Sequence, residues 1–271
     1  MPLVEANGAK INIEDTEAPA GRPDAAAVVF GHGLLFSGRM FDAQVDRLAR
    51  NYRCVTIDWR GQGRSPAADG GYDMDTLADD AAAVIQQLGL GKVHFVGLSM
   101  GGFVGMRLAA RRPELIRSLS LLDTSAGPED ASKVKKYRLL AKVYGLLGLG
   151  PVTSQVKPIM FGPTYLASPE AGPQVEAWMN EVKAVRRSGM KQAIYGVTDR
   201  VPILEELDAI TAPTLVVVGA DDVATPVAKS EAIADSIAGA RLEIVPHAGH
   251  SSTIEQPDAL CDLLEAFIDQ H

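Results

Sequence analysis

Cysteine is nearly absent from this chain: Cys54 and Cys261 are the only two in 271 residues. They have no paired spacing, which excludes a disulfide framework and a cysteine zinc site. Each reads as a small buried apolar side chain. Long apolar runs are also missing. No stretch approaches the ~18 apolar residues of a membrane-spanning helix. Met1–Asp15 lacks the basic and apolar regions of a secretory signal. A cytoplasmic location with no membrane partner is the resulting expectation. Basic residues are in deficit, 26 against 34 acidic ones for a net charge of −8, which disfavours nucleic acid and anionic membrane as partners. There is no internal repeat and no low-complexity segment. The remaining composition, 46% hydrophobic and 22% charged, is that of an ordinary globular protein. A chain of this length buries roughly three-quarters of its unfolded surface and needs no metal or disulfide to fold.

Short aliphatic runs recur along the chain. Leu3–Ala6 and Lys10–Glu14 alternate partly and read as an opening hairpin with its turn at Asn7–Gly8. Ala26–Phe30, Cys54–Ile57, Val93–Val96, Leu119–Leu122, Leu215–Val218 and Leu242–Val245 are continuous apolar runs. Strands buried on both faces have this appearance, and both faces are covered only in α/β layers. Between them lie helical patterns. Leu77, Ala81, Val84, Ile85 and Leu88 share one helix face, with Thr76 and Asp79 resembling a capping box. Gly101–Arg112 is a second helix, halted by Pro113. Pro257–Gln270 is a closing one. The alternation predicts an α/β fold, a mostly parallel eight-stranded sheet flanked by helices. From Ser125 to Glu205 no strand pattern occurs. Helical stretches at Lys133–Leu147, Gln174–Arg187 and Met190–Thr198 predict a helical cap inserted between two strands. The expected division is a core of residues 1–124 and 206–271 with a cap of residues 125–205.

Chemistry concentrates at Gly97-Leu98-Ser99-Met100-Gly101, a G-x-S-x-G pentapeptide between a strand and a helix. In that context it specifies a nucleophile elbow, which raises the Ser99 hydroxyl above the sheet. Gly97 and Gly101 keep side chains out of a turn too tight for them. A serine hydroxyl needs a base. Of five histidines, His94 lies in a strand and His271 is terminal. His32 sits in a Gly-His-Gly turn that it stabilises. His250, after Gly249 on the loop beyond the last strand, is the better base; His247 supports that loop. The imidazole in turn needs a carboxylate to fix its tautomer. Asp221 and Asp222 follow one strand end and Asp123 another. The oxyanion of an acyl-transfer intermediate needs two N–H donors. Met100, opening a helix, supplies one. Leu34, or Leu35 beside it, supplies the other.

Taken together, Gly31-His32-Gly33, Asp58-Trp59-Arg60-Gly61-Gln62-Gly63-Arg64-Ser65, the Ser99 elbow, Gly219–Pro226 and Gly249–His250 resemble the α/β-hydrolase fold superfamily over nearly the whole chain. The resemblance implies a triad acid in a G-x-x-D-x-x-x-P frame, which is Asp222 here. It implies no cofactor and no metal. Ser99 stands where haloalkane dehalogenases and epoxide hydrolases carry aspartate. The Gly-Pro-Gly of carbon–carbon bond hydrolases and the Trp-Pro of cofactor-free haloperoxidases are missing after the His-Gly turn. The segment His250–Pro257 and the elbow look most like 3-oxoadipate enol-lactonases and their related carboxylesterases.

The expected function is therefore hydrolysis of a small carboxylic ester through an acyl-enzyme, by a monomer or homodimer. Phe36, Met160, Phe161 and Trp178 are expected to line a mostly apolar substrate pocket for short or medium acyl groups. Two rivals arise from the same residues. A lactonase acting on an anionic substrate would point a cation into the pocket, and Lys133, Lys135, Lys136, Arg138, Arg186, Arg187 and Arg200 of the insertion are the candidates. A ligand sensor would keep the triad but turn over slowly.

Overall fold

The computed structural model describes residues 3–271. Its centre is one eight-stranded sheet in the order β1-β2-β4-β3-β5-β6-β7-β8. The strands are β1 (Leu3–Ala6), β2 (Ala9–Asp15), β3 (Ala27–Gly31), β4 (Arg53–Ile57), β5 (Val93–Leu98), β6 (Ile116–Leu122), β7 (Thr214–Gly219) and β8 (Arg241–Val245). β2 pairs antiparallel with both β1 and β4, and every other pairing among the described residues is parallel. The opening hairpin turns at Asn7 and Gly8, both with positive φ, 45° and 74°, as a two-residue turn of this hand requires. In the interior, β5 is buried at every position. The edge strand β8 instead exposes Ile244, as a strand half-open to water does.

Helices cover both faces. α2 (Met74–Gln87) and α3 (Met100–Arg111) pack on one face. Leu77, Val84, Phe103 and Val104 there meet Val29, Val55 and Phe95 of the sheet. α1 (Asp42–Leu48) and the closing α11 (Pro257–Ile268) cover the other, where Leu48, Leu260 and Leu264 meet Val28, Phe30 and Val96. α2 begins three residues earlier than the Thr76–Asp79 pattern suggests. Asp73 is its N-cap and its carboxylate accepts the Thr76 N–H at 2.9 Å. Asp79 does not take part, because the cap lies a turn upstream.

Between β6 and β7 the chain forms only helices: α4 (Ala131–Leu147), α5 (Thr153–Met160), α6 (Pro163–Leu166), α7 (Ala171–Ala184) and α8 (Arg187–Thr198), with short 3-10 turns such as the one at Leu204–Ala209. Ile203 is buried in the core with Leu207 and Ile210, and the Val201 carbonyl accepts from Arg107 of α3 at 2.6 Å. α9 (Val227–Ser236) and the short α10 (Ser252–Glu255) complete the chain. Both cysteines are free and buried, and burial pushes the Cys54 thiol up to about 12. Burial raises Cys261 as well. Neither is therefore a thiolate nucleophile at neutral pH.

The Asp58–Ser65 segment after β4 is a structural lock. Asp58 accepts from the Gly38 and Arg64 amides and from Asn12 Nδ2, at 2.8, 2.8 and 3.0 Å. Arg60 pairs with both oxygens of Asp80 at 2.6 and 2.7 Å and reaches the Asn7 carbonyl of the hairpin turn. Side-chain exposures of 5% and 0% place this ion pair out of water. Removing one partner of such a pair strands a charge and costs about 3–5 kcal/mol. Asp80→Ala is expected to lower unfolding stability by that amount in urea titration. Replacing both partners, Arg60→Met with Asp80→Leu, should cost much less.

Candidate active site

The carboxyl ends of β3, β5, β6, β7 and β8 point the same way, because all five run parallel. The loops that leave them carry Leu34, Ser99, Asp123, Asp222 and His250. Ligands bind at this edge in open α/β sheets. Ser99 sits between β5 and α3 at φ 51° and ψ −109°, a backbone state that costs a non-glycine residue of order 1–3 kcal/mol. The turn admits no side chains around it. A Cβ at Gly97 would collide with the Gly101 carbonyl, and one at Gly101 with the Gly31 carbonyl. The Ser99 N–H donates to the Leu122 carbonyl of β6 at 2.9 Å, and Thr124 Oγ1 donates to the Ser99 carbonyl at 2.8 Å.

Ser99, His250 and Asp222 form a continuous chain. His250 Nε2 lies 2.9 Å from Ser99 Oγ, and its Nδ1 lies 2.9 Å from Asp222 Oδ2. A carboxylate accepts, so Nδ1 carries the proton and Nε2 is free to accept from the serine hydroxyl. Asp222 is itself held. Its Oδ1 accepts the Ala224 and Thr225 amides at 2.7 and 3.0 Å, and its Oδ2 accepts Thr225 Oγ1 at 2.7 Å. Burial works to raise its pKa, but His250 and the Thr225 donors hold the group below the ordinary 3.8. Burial likewise pushes His250 down, and the facing Asp222 carboxylate, with Asp123 and Glu255 behind it, outweighs this and raises it above 6.5.

The neighbouring candidates have other partners. Asp221 accepts from Thr164 of α6 at 2.8 Å. Asp123, fully buried, accepts the Gly219 amide at 2.8 Å and the Ser252 hydroxyl. Burial, and then the charge of Asp222, push its carboxyl well above the usual range. His32 accepts the Trp59 amide at Nε2, 3.0 Å away, so its Nδ1 donates to the Gly33 carbonyl at 2.7 Å. It braces the turn. His94 faces Ser118 inside the sheet, where burial lowers it to about 4. His247 is exposed with φ 61°, and its carbonyl accepts from Gln256. Among the described residues, no group of three or more His, Cys, Asp or Glu could hold a metal ion.

The amides of Leu34 and Met100 donate to no protein acceptor among the described residues. Met100 is the first residue of α3, where an N–H has no helical partner. The alternative donor, Leu35, is engaged: its N–H donates to Gln62 Oε1 at 3.1 Å. Of these two neighbours, only Leu34 has an amide free to meet an anion.

A cavity of about 120 Å³ opens beside Ser99 and His250. Its far walls are Tyr144 of α4, Val156 and Met160 of α5 and Ile194 of α8, so the inserted helices roof it. Met160 is on its wall; Phe36, Phe161 and Trp178 are not. They pack against one another, two pairs edge to face and one tilted, at ring distances of 5.5 to 6.1 Å. Trp178 Nε1 donates to the Leu35 carbonyl at 2.9 Å. These three aromatics bind the cap to the core rather than facing the cavity, because a large buried indole settles where its N–H finds an acceptor.

Sequence reasoning passes over Glu255. It is a buried carboxylate on α10 that accepts the Gly249 and Gly162 amides at 2.8 and 3.0 Å on one oxygen, and the Ser251 amide at 3.0 Å on the other. Gly162 lies between α5 and α6, and Gly249 precedes the histidine. Ser251 Oγ donates to the Met160 carbonyl at 2.6 Å. The histidine loop and the roof of the cavity are thus tied through two side chains, Glu255 and Ser251. The only signal in the sequence is its place five residues after His250.

The charges around the base have a measurable consequence. The His250 imidazole is expected to titrate above 6.5 when followed by ring-proton NMR. Asp222→Asn removes the facing negative charge and should bring the midpoint below that of the native protein. A midpoint that does not move would mean that Asp222 does not set the histidine's charge.

Residues 28–263 match the family model described as the alpha/beta hydrolase family. The chain is 28% identical over 250 residues to 3-oxoadipate enol-lactonase 2 of Acinetobacter baylyi, covering 92% of this chain and 91% of the relative. It is 30% identical over 257 residues to a Rhizobium rhizogenes protein named putative carbamate hydrolase RutD, covering 88% and 90% of the two chains. Among solved structures, a thermophilic esterase from Thermogutta terrifontis superposes with a TM-score of 0.87 at 27% identity, over 99% of this chain and 96% of that one. The strand order, the elbow and the family match agree, and the chain belongs to the alpha/beta hydrolase family.

Proposed function

We propose that this hydrolase cleaves small, uncharged carboxylic esters through an acyl-enzyme. The observation that carries the reading is the hydrogen-bonded chain Ser99–His250–Asp222 beside two unengaged amides. His250 Nε2 takes the Ser99 proton as Oγ attacks the ester carbonyl. The Leu34 and Met100 amides hold the oxyanion as it forms. Each such donor is worth on the order of 10²- to 10³-fold in rate. The imidazolium, stabilised by Asp222, returns its proton to the departing alcohol. Water then enters, loses a proton to His250 as its oxygen attacks the acyl carbon, and the acid leaves as His250 passes that proton to Ser99 Oγ.

The cavity supports an uncharged, short or medium acyl group. An apolar protein cavity of ~150 Å³ holds a molecule the size of benzene, and this one measures about 120 Å³. Among the described residues, no Lys or Arg lines it. Arg138 pairs with Asp199 on the surface, Arg187 reaches the Leu146 carbonyl, and Lys133 the Val223 carbonyl. A second reading is a lactonase. It draws on the enol-lactonase relative and uses the same residues, with the leaving alcohol retained on the product. A neutral lactone fits this cavity as well as an ester does, whereas an anionic one meets no cation on the described wall.

Ser99→Ala should reduce kcat on p-nitrophenyl butyrate by about 10⁶-fold and leave the thermal midpoint close to the native one. Native-like turnover in that variant would exclude the mechanism. A side-by-side panel of p-nitrophenyl acyl esters, neutral lactones and an acidic enol-lactone separates the two readings. Glu255→Gln should lower kcat by up to about a hundredfold, the cost of ~1 Å of misplacement in a catalytic group, with a smaller change in KM. A KM change without a kcat change would show that Glu255 shapes the cavity rather than holding His250.

A further inference from the structure

One feature of the cavity wall takes no part in ester hydrolysis. Glu129, just before α4, is the only acidic side chain among the described residues that line the cavity. Its Oε2 accepts from Arg200 Nη1 at 2.9 Å, and its Oε1 accepts the Asp130 amide at 3.1 Å. Arg200 itself does not reach the cavity. It lies behind the wall with its side chain 2% exposed, against 10% for Glu129.

Arg200 is fixed independently of that pairing. Nε donates to the Gly127 carbonyl at 3.1 Å and Nη1 to the Val197 carbonyl at 2.9 Å. The guanidinium carbon sits 4.3 Å from the centre of the Phe103 ring. Phe103 and Val197 are wall residues of the same cavity. A guanidinium keeps its charge in such a place. The arrangement is therefore a buried cation one layer behind the substrate wall, with a carboxylate between it and the space the substrate enters. Lys229 of α9, half-buried, also feels the Glu129 charge and that of Arg200. Without Glu129, Arg200 would stand behind this wall with no carboxylate partner among the described residues.

We propose that Glu129 is the specificity-determining residue for substrate charge. It masks Arg200 and so restricts the cavity to uncharged acyl or alcohol groups, and its removal converts the wall into a carboxylate-binding one. The inference rests on the ester-hydrolase reading for the identity of the cavity but not on turnover. It can therefore be tested by binding in the Ser99→Ala protein.

Hexanoate, 1-hexanol and hexylammonium are matched probes that differ in charge. Calorimetric titration of Ser99→Ala protein should give hexanoate the weakest binding of the three. Adding Glu129→Gln keeps a carbonyl acceptor for Arg200 and removes the charge. The ratio of hexanoate to hexanol affinity should then rise about ten- to a hundredfold, the size expected for one unit charge several ångströms away at an effective dielectric near 20. Adding Arg200→Met to that protein should abolish the gain. An unchanged ratio in Glu129→Gln overturns the proposal, as does a gain that survives without Arg200. Hexanoate binding as tightly as hexanol before any change at Glu129 overturns it without a folding question. A failed hydrolase reading shows separately, as native protein that binds these probes with the expected order yet turns over no ester.

Discussion

The close backbone approach of β3, β5 and α3 is the constraint on which the site depends. Gly101 lies against the Gly31 carbonyl, and Gly97 against the Gly101 carbonyl, with no room for a Cβ at either glycine. The strained φ of Ser99 is the consequence, since a strand cannot enter a helix in so little space with ordinary dihedrals. The strain is sustained by its surroundings: the Leu122 carbonyl accepts the Ser99 amide and Thr124 holds the Ser99 carbonyl. One tight crossing accounts for three properties together. The hydroxyl stands clear of the sheet, the Met100 amide is left without a helical partner, and the Gly31–Leu35 turn is drawn alongside so that a second free amide faces the same side.

The rest of the site is held from behind. His250 is not placed by its own loop alone. Asp222 fixes one nitrogen, while Glu255 fixes the amides on both sides of the residue and extends to Gly162 of the cap. Burial pushes the Glu255 carboxyl up, and the three amide donors work against that. Glu255 adds negative charge near His250 as well as order. The cap is therefore coupled to the base through backbone hydrogen bonds, and a displacement of the α5–α6 corner displaces the histidine loop. The aromatic cluster of Phe36, Phe161 and Trp178 has the complementary role. It anchors the same corner to the loop that carries Leu34, through the Trp178 bond to the Leu35 carbonyl.

These two kinds of residue differ in how far they can be read from sequence. The elbow, the strand runs and the opening hairpin are legible because each is a local pattern with a local cause: alternation, aliphatic runs, or glycines about a serine. His250 is legible because a glycine and a strand end mark its loop. Choosing Asp222 over Asp221 needs the family frame, since the two are adjacent and either could reach. The structure separates them by their partners: Thr225 supplies two donors to Asp222, whereas Asp221 turns to Thr164. Glu255 and the Glu129–Arg200 pair are not legible. Their partners are 93, 6 and 71 positions away, and no local pattern records a tertiary hydrogen bond. The aromatics of the cap mislead for a related reason. An aromatic in a cap serves a pocket or a joint equally well by composition, and only the position of its polar edge distinguishes them.

The apolar cavity and the charged groups around it are parts of one electrostatic design. A wall with low polarity strengthens every nearby charge. The imidazolium formed during attack is met by Asp222 at 2.9 Å, and the oxyanion by two amides with no competing acceptor among the described residues. A second, unbalanced charge on the wall would act on both, because the same low dielectric carries its field to the reacting atoms. Pairing Arg200 with Glu129 removes that disturbance while leaving both groups in place. The neutrality of this pair therefore serves the chemistry as well as substrate selection. It leaves the groups that face His250, Asp222 first and then Asp123 and Glu255, to set the field at the reacting atoms.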